Sequence, residues 1–370
     1  MVEFYKVKNY PTQVFEKCYR QKIYLSLQEK VKNVIIYKGG GGLGDLIVSI
    51  PLFRAFRGAF PKAKIFYLGS ISPQIRKIFE SIPFLDGDIF YIRPHRTRGL
   101  PDYFRFRQKH KDKFDLLVDT QKRWATSFWL WFLKPKYMVS TCRGFFFSTW
   151  NFSLPKIKPH ISAQMVALAR ILGIIVDNFE AAIKIPPEYS SIAEKYLDSF
   201  SGQFIAVIPG AGMRFKCWPA QKFAYLSDQL INQGFNVILI GGLKELNLLH
   251  EIRGMMRQRP IIPSEDDQRF GSELLYSAAI LKRCLLAIGN DCGGMHLATA
   301  VGCPVIAIYG PTNPNKSGPM GNRNIAIYKN FVCSPCRLKC NRKIERECLE
   351  VITNEEIIEA VKFVLSDIGG

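Results

Sequence analysis

The feature that most limits how this chain can fold is an alternation: a short, nearly unbroken run of β-branched and aromatic residues, then a small-residue loop, then a helical pattern. NVIIY (33–37), KIFYLG (64–69), DIFYI (88–92) and FDLLVDT (114–120) make a first series, with helices expected over about 44–59 and near 72–81. The second series runs FIAVIPGAG (204–212), the helix PAQKFAYLSDQLINQG (219–234), NVILIGG (236–242), a helix through KELNLLHEIRGMM (244–256), LLAIGND (285–291), a helix from GGMHLATAVG (293–302) and PVIAIYG (304–310). Apolar runs without polar alternation are strands covered on both faces, and strands separated by helices pair in parallel through crossovers. An α/β protein with two parallel-sheet halves follows, a size that suits 370 residues.

The boundary is expected near 178–188, separating domains 33–180 and 181–353. Residues 1–32 are basic, aromatic and without clear periodicity, and read as an extra arm. A closing helix at 354–368 is expected to be capped by Asn354, with 354–370 packing back on the N-terminal domain as one option.

Ligands of open parallel sheets bind where strands end in loops, so chemistry is expected around 38–45, 209–218, 241–245 and 289–296. The first loop contains Gly39-x-Gly41-x-x-Gly44, the spacing of a dinucleotide fingerprint. Two features oppose that use. Asp45 would repel a phosphate at the helix start, and KIFYLG is followed by Ser70 where a ribose-binding acid is required. Asp45 then reads either as a first-turn residue that stabilises the helix dipole or as a positioned base, with Gly41, Gly42 and Gly44 letting a substrate come close.

The second half carries the opposite chemistry. Arg214 and Lys216 follow a strand and precede a helix starting at Pro219, a place that suits phosphate. Asp291 and Cys292 close another strand, Gly293 and Gly294 leave helix-start amides open for an anion, and His296 is either a further donor to it or a structural histidine.

A formal charge of +20 calls for an anionic partner such as nucleic acid, anionic lipid or a phosphorylated substrate. Cations interleave with aromatic residues between about 93 and 150, in RPHRTRG, YFRFRQKHKDKF, KRWATSFWLWFLKPKY and RGFFFSTW. That mixture suits ordinary core and solvated helix, a peripheral contact with anionic lipid, or a charged acceptor. WATSFWLWFL (124–133) is about half the length of a bilayer crossing, and no leader pattern opens the chain, so it reads as neither secreted nor membrane-spanning. No nucleic-acid motif is present. The ten cysteines include Cys333, Cys336, Cys340 and Cys348, spaced C-x2-C-x3-C-x7-C, which reads as a structural zinc or iron site or as free thiols or disulfides.

GLGDLIVSIPLFRAFRGAFPKAKI, PGAGMRFKCWP and NDCGGMHLATAVGCPVIAIYGPTNP, in that order, resemble glycosyltransferase family 9, the ADP-heptose:lipopolysaccharide heptosyltransferases, from about 33 to the C-terminus. The resemblance implies a GT-B fold, two Rossmann-like domains with parallel sheets facing across a cleft, the donor held mainly by the C-terminal domain and the acceptor by the N-terminal one. By the same resemblance Asp45 matches the catalytic base and Lys216 the lysine on the donor diphosphate. Asp291, Gly293 and His296 match the D-x-G-x-x-H donor loop, with Cys292 in place of a more usual Ser or Thr, and Glu245 resembles the glutamate on the donor ribose. The four-glycine run at 39–42 is longer than the family pattern.

The implied partners are an ADP-sugar, the lipopolysaccharide inner core and the anionic inner-membrane surface, with a cytoplasmic, peripheral location, no nucleic acid and no catalytic cofactor. Relatives with similar cysteine clusters imply a structural zinc or iron. A protein hydroxyl as acceptor is the alternative within the family. A non-catalytic nucleotide-sugar or nucleic-acid binding module is the alternative outside it, against which Asp45 and Lys216 speak.

Overall fold

The computed structural model describes residues 4–5, 17–40, 42–90, 100–150, 160–176, 178–321, 323–336, 340 and 346–368. The chain divides into two compact units: an N-terminal one of Tyr10–Pro73 and Ile82–Phe179, and a C-terminal one of Met1–Asn9, Gln74–Ser81 and Glu180–Gly370.

Along the first part run β1 (Phe4–Tyr5), α1 (Lys17–Gln28), β2 (Asn33–Tyr37), α2 (Leu43–Ile47), α3 (Ile50–Ala59), β3 (Lys64–Gly69), α4 (Arg76–Glu80), β4 (Gly87–Phe90), α5 (Leu100–His110), β5 (Leu116–Asp119), α6 (Trp124–Phe132), β6 (Tyr137–Ser140) and α7 (Ile161–Ile171). Five of the strands form the N-terminal sheet, in the order β4-β3-β2-β5-β6 and parallel throughout. Val34, Ile35, Ile36, Leu116, Leu117 and Val118 are fully buried, as a sheet covered on both faces requires.

The helix expected over 44–59 is two helices. Pro51 has no N–H to donate to the carbonyl of Ile47, so α2 ends and α3 restarts with Pro51 in its first turn. Ile50, Leu52, Phe53 and Phe56 then turn inward with no exposed surface, each such burial being worth about 1.5–3 kcal/mol.

The second part contains α8 (Pro187–Leu197), β7 (Phe204–Ile208), α9 (Ala220–Asn232), β8 (Asn236–Leu239), α10 (Leu246–Met255), the single turns α11 (Pro263–Asp266) and α12 (Arg269–Ser272), α13 (Leu274–Arg283), β9 (Leu286–Asn290), α14 (Gly293–Ala300), β10 (Val305–Tyr309), α15 (Pro314–Ser317), β11 (Ile325–Tyr328), α16 (Glu347–Glu350) and α17 (Asn354–Ile368). The C-terminal sheet has the order β1-β11-β10-β9-β7-β8, parallel except for β1, which pairs antiparallel with β11. Segment Gln74–Ser81 joins this unit through Lys77, whose ammonium lies 2.7 Å from Glu273 Oε1 and donates to the Tyr189 hydroxyl at 3.0 Å.

Two expectations need correction. The arm is structured where it is described: β1 extends the C-terminal sheet, and α1 buries Ile23 and Leu27 while the Tyr24 hydroxyl donates to the Ala59 carbonyl at 3.1 Å. In the closing helix α17 the buried residues Ile357, Ala360, Val361 and Val364 belong to the core around β7, β9 and β10. Its cap is Thr353, not Asn354. The Thr353 hydroxyl accepts from the Glu356 amide at 3.3 Å while Glu356 Oε2 accepts from the Thr353 amide at 3.0 Å, a reciprocal box that frees Asn354 to donate to the Lys222 carbonyl at 2.7 Å. β6, β11, α6, α7 and α13 were not anticipated.

Candidate active site

In each sheet the strand order reverses beside its first long strand, between β2 and β5 in one unit and between β7 and β9 in the other. Loops leaving such neighbours diverge and open a crevice, the usual ligand position in doubly wound sheets.

In the N-terminal unit the register pairs Tyr37 with Asp119 and Asp119 with Ser140, so the chain leaves all three strands at one level. Asp45 lies in the first turn of α2, its side chain 40 % exposed, with Oδ1 3.1 Å from the ammonium of Lys38, which is buried. Gly42 is the N-cap of α2 and Gly44 lies inside the helix, while Gly41 falls outside the described residues. At Gly40 the geometry demands glycine. Its φ is +102°, and a Cβ there would come 2.8 Å from Asp45 Oδ2, so the run accounts for itself at this position by letting backbone pass against the carboxylate. The Tyr67 hydroxyl donates to the carbonyls of Lys38 and Gly40 at 3.2 and 3.4 Å, and burial, then the Asp45 charge, push its phenol up and keep it neutral.

Below the loop sits a second acid. Asp119 is fully buried at the end of β5, and its Oδ2 accepts from Ser127 at 2.5 Å and Ser140 at 2.8 Å while Oδ1 accepts from the Gln121 amide at 2.9 Å. Burial raises its carboxyl to about 6 against the pull of these hydrogen bonds. The Gln121 side chain in turn donates to the Gly39 carbonyl at 3.3 Å, which ties the glycine loop to this network.

In the C-terminal unit the loops after β7, β8, β9 and β10 meet. Lys216, in a single turn at Arg214–Lys216, lies 2.7 Å from Asp291 Oδ2, and the Thr312 hydroxyl donates to the same oxygen at 2.7 Å. Arg214 is exposed on that turn. Asn290 is buried and holds the loop from both sides, accepting from the Trp218 amide at 2.8 Å and donating to the Pro209 carbonyl at 2.6 Å.

Glu245 accepts from the Gly242 amide at 2.8 Å and packs on Gly210, where a Cβ would stand 1.9 Å from its Oε1. Cys292 is the N-cap of α14, followed by Gly293 and Gly294, and His296 lies half-buried in the first turn. Burial pushes the Cys292 thiol up to about 12, opposed by the Met295 and Gly294 amides, so no negative charge sits at this helix start. Glu245 packs on Gly210, and two residues earlier Ile208 packs on Gly294, which brings Glu245, the helix start and the Lys216–Asp291 pair into one site.

The sequence-predicted donor residues are therefore together. Lys38, Gly40, Asp119, Gln121, Gly210, Asn290 and Thr312 were missed, although Asp119 carried a signal as an acid closing an apolar strand and Thr312 lies within the quoted GPTNP.

Farther along, Cys333 and Cys340 are exposed, Cys336 is half-buried and Cys348 is buried. Burial, then the charges of Cys333, Cys336 and Cys340, push the Cys348 thiol up to about 11. Among the described residues no three His, Cys, Asp or Glu side chains are arranged to hold a metal ion.

Residues 103–345 match the model of glycosyltransferase family 9 (heptosyltransferase). Lipopolysaccharide heptosyltransferase 3 of Escherichia coli K12 is 23 % identical over 339 residues, covering 88 % of this chain and 96 % of that protein. The crystal structure of a family 9 glycosyl transferase from Veillonella parvula superposes with a TM-score of 0.73 at 23 % identity, covering 91 % of this chain and 97 % of that one. The E. coli ADP-heptose lipopolysaccharide heptosyltransferase II gives 0.69 at 19 % identity, over 91 % and 100 %.

Proposed function

The chain belongs to glycosyltransferase family 9 and has the GT-B fold, and from that premise we propose that it transfers a heptose from ADP-heptose to the lipopolysaccharide inner core. It is a glycosyltransferase, and relatives of this family are described as lipopolysaccharide heptosyltransferases. In the proposed reaction Asp45 takes the proton of an acceptor hydroxyl as that oxygen attacks the anomeric carbon, and the bond to the diphosphate breaks in the same displacement with inversion. A nucleoside diphosphate leaves as an anion and needs no proton, so one carboxylate suffices where glycoside hydrolysis uses two. Lys216 and the amides of Gly293 and Gly294 receive the developing charge, supplying the positive field that a metal supplies elsewhere, and Glu245 accepts from the donor ribose. Asp291, itself held by the Thr312 hydroxyl, acts one step back by holding the Lys216 ammonium.

What carries the proposal is Asp45: a half-exposed carboxylate, fixed by a buried lysine and framed by glycine so that another molecule can reach it. Asp45→Asn is expected to lower kcat by about 10²–10⁴-fold, read as ADP release in the presence of acceptor, with ADP-heptose affinity retained in calorimetry. Full activity in that variant removes Asp45 from the chemistry.

With a lipid-anchored acceptor, the proposal includes a peripheral position at the cytoplasmic face of the inner membrane. No helix among the described residues is long and apolar enough to cross a membrane. For the cysteine cluster a structural zinc or iron is proposed, supported by the C-x2-C-x3-C-x7-C spacing of Cys333, Cys336, Cys340 and Cys348 and requiring the four sulfurs to close around the ion. Elemental analysis of purified protein is expected to give about one equivalent, and far less than that for both metals removes the site.

A further inference from the structure

On the N-terminal unit three exposed rings surround one buried ring. Trp124 and Trp131 on α6 are 46 % and 51 % exposed, and Phe146, just beyond β6, is 73 % exposed. Their centroids lie 6.1, 6.4 and 5.1 Å from that of Phe147, which is buried. Phe128 closes the array, stacked on Trp124 at 5.4 Å and 6.4 Å from Trp131. Single exposed apolar side chains are ordinary, whereas a contiguous group rimmed by charge marks a contact surface.

The backbone is bent to present it. Arg143, Gly144 and Phe145 take φ of +46°, +65° and +71° in succession, and Lys134, which follows α6, takes +54°. A left-handed conformation is unfavourable for a side chain with Cβ, and here it turns Phe145 into the core and Phe146 out of it.

The charge around the patch has one sign. Lys122, Arg123, Lys134 and Arg143 are all exposed. The Arg143 guanidinium lies 5.6 Å from the Trp124 ring centre, and Lys134 shares a hollow of about 310 Å³ with Trp131 and Phe147. From Thr120 to Val176 the sequence contains no Asp or Glu at all.

We propose that this patch docks the enzyme on an anionic bilayer, with Trp124, Trp131 and Phe146 entering the headgroup boundary and Lys134 and Arg143 pairing with lipid phosphates. Indole rings favour that boundary, and the basic side chains beside them reach up to the headgroups. A bilayer answers the unopposed positive charge, since each cation near an anionic surface adds to binding. A second copy of the chain would set the same cations against each other. The inference deepens the proposed function, because it rests on the acceptor being held in a membrane.

Flotation of the full chain with phosphatidylcholine vesicles, with and without phosphatidylglycerol, tests it. The wild type is expected to float with anionic vesicles at low salt and to release at high salt. Trp124→Ser/Trp131→Ser/Phe146→Ser is expected to lose about tenfold or more in vesicle affinity while transfer to delipidated, soluble core oligosaccharide is unchanged. Lys134→Glu/Arg143→Glu, which alters only exposed cations, is expected to lose the binding as well and guards against misfolding of the first variant.

Wild type that stays off anionic vesicles overturns the docking surface, as does a triple variant that binds like wild type. A concentration-dependent dimer that the triple variant abolishes, without vesicle binding, overturns it in favour of a copy-to-copy contact. Expected flotation with no transfer to any core acceptor supports the surface and overturns the proposed function instead.

Discussion

Both units end a parallel sheet in a glycine loop that leads into a helix, yet the two helix starts have opposite character. In the N-terminal unit the first turn of α2 contains its own carboxylate, Asp45, held by Lys38. In the C-terminal unit α14 starts from a neutral thiol and two glycines, has no acid in its first turn, and has Lys216 nearby. A helix start has a positive end and free amides in either case. What the pair teaches is that loop shape does not choose the ligand: the charge of the first-turn residues decides whether that end is already satisfied or open to a phosphate.

The comparison breaks most visibly at Lys216. Lys216→Met is expected to reduce kcat/KM for the ADP-sugar by about 10²–10³-fold, because it removes the cation from the leaving group and leaves Asp291 unpaired; steady-state kinetics with unchanged circular dichroism tests this, and a loss below threefold sinks the role. On the other side Lys38→Met frees the Asp45 carboxylate, so kcat is expected to fall by about 10–10²-fold while donor affinity measured by calorimetry stays constant. A fall in donor affinity instead would assign Lys38 to the donor.

Gly210→Ala sharpens the donor side further. A methyl group 1.9 Å from Glu245 Oε1 must displace that carboxylate, and KM for the donor is expected to rise about tenfold with kcat little changed. An unchanged KM separates Glu245 from the donor.

The smallest effect comes from setting Asp119 beside Asp291. Asp291 faces a cation, whereas the partners of Asp119 are two hydroxyls and one amide. Its folded pKa of about 6 lies above the ordinary 3.8, so the folded state binds the proton more tightly, and the stability this contributes is present below that window and lost as pH rises through it. The stability difference between wild type and Asp119→Asn is expected to fall by on the order of 1 kcal/mol from pH about 4 to about 6 in urea unfolding. A difference independent of pH contradicts the raised pKa.

Much of the architecture was legible because doubly covered strands leave continuous apolar runs: NVIIY, KIFYLG, FIAVI, NVIL and VIAIY all became strands. YMVS and IAIY have the same character but sat beside segments read for charge or cysteine, and were passed over. The cap at Thr353 was equally open to reading, as a Thr-x-x-Glu pattern one residue before the one chosen. Lys38 was not: a lysine after a strand belongs in solvent by default, and only the approach of Asp45 makes its burial tolerable.

By itself the sequence determined the α/β class, the order of most strands and helices, and which loops carry acid and which carry base, because periodicity and residue charge are local properties. Tertiary structure alone decided that Gly40 must be glycine beside Asp45, that Asp291 anchors Lys216, and that Phe146 joins Trp124 and Trp131 in one solvent-facing patch around Phe147. Those outcomes depend on distances between segments brought together by packing, and such distances are set by how whole elements fill the core, which no short window of residues contains.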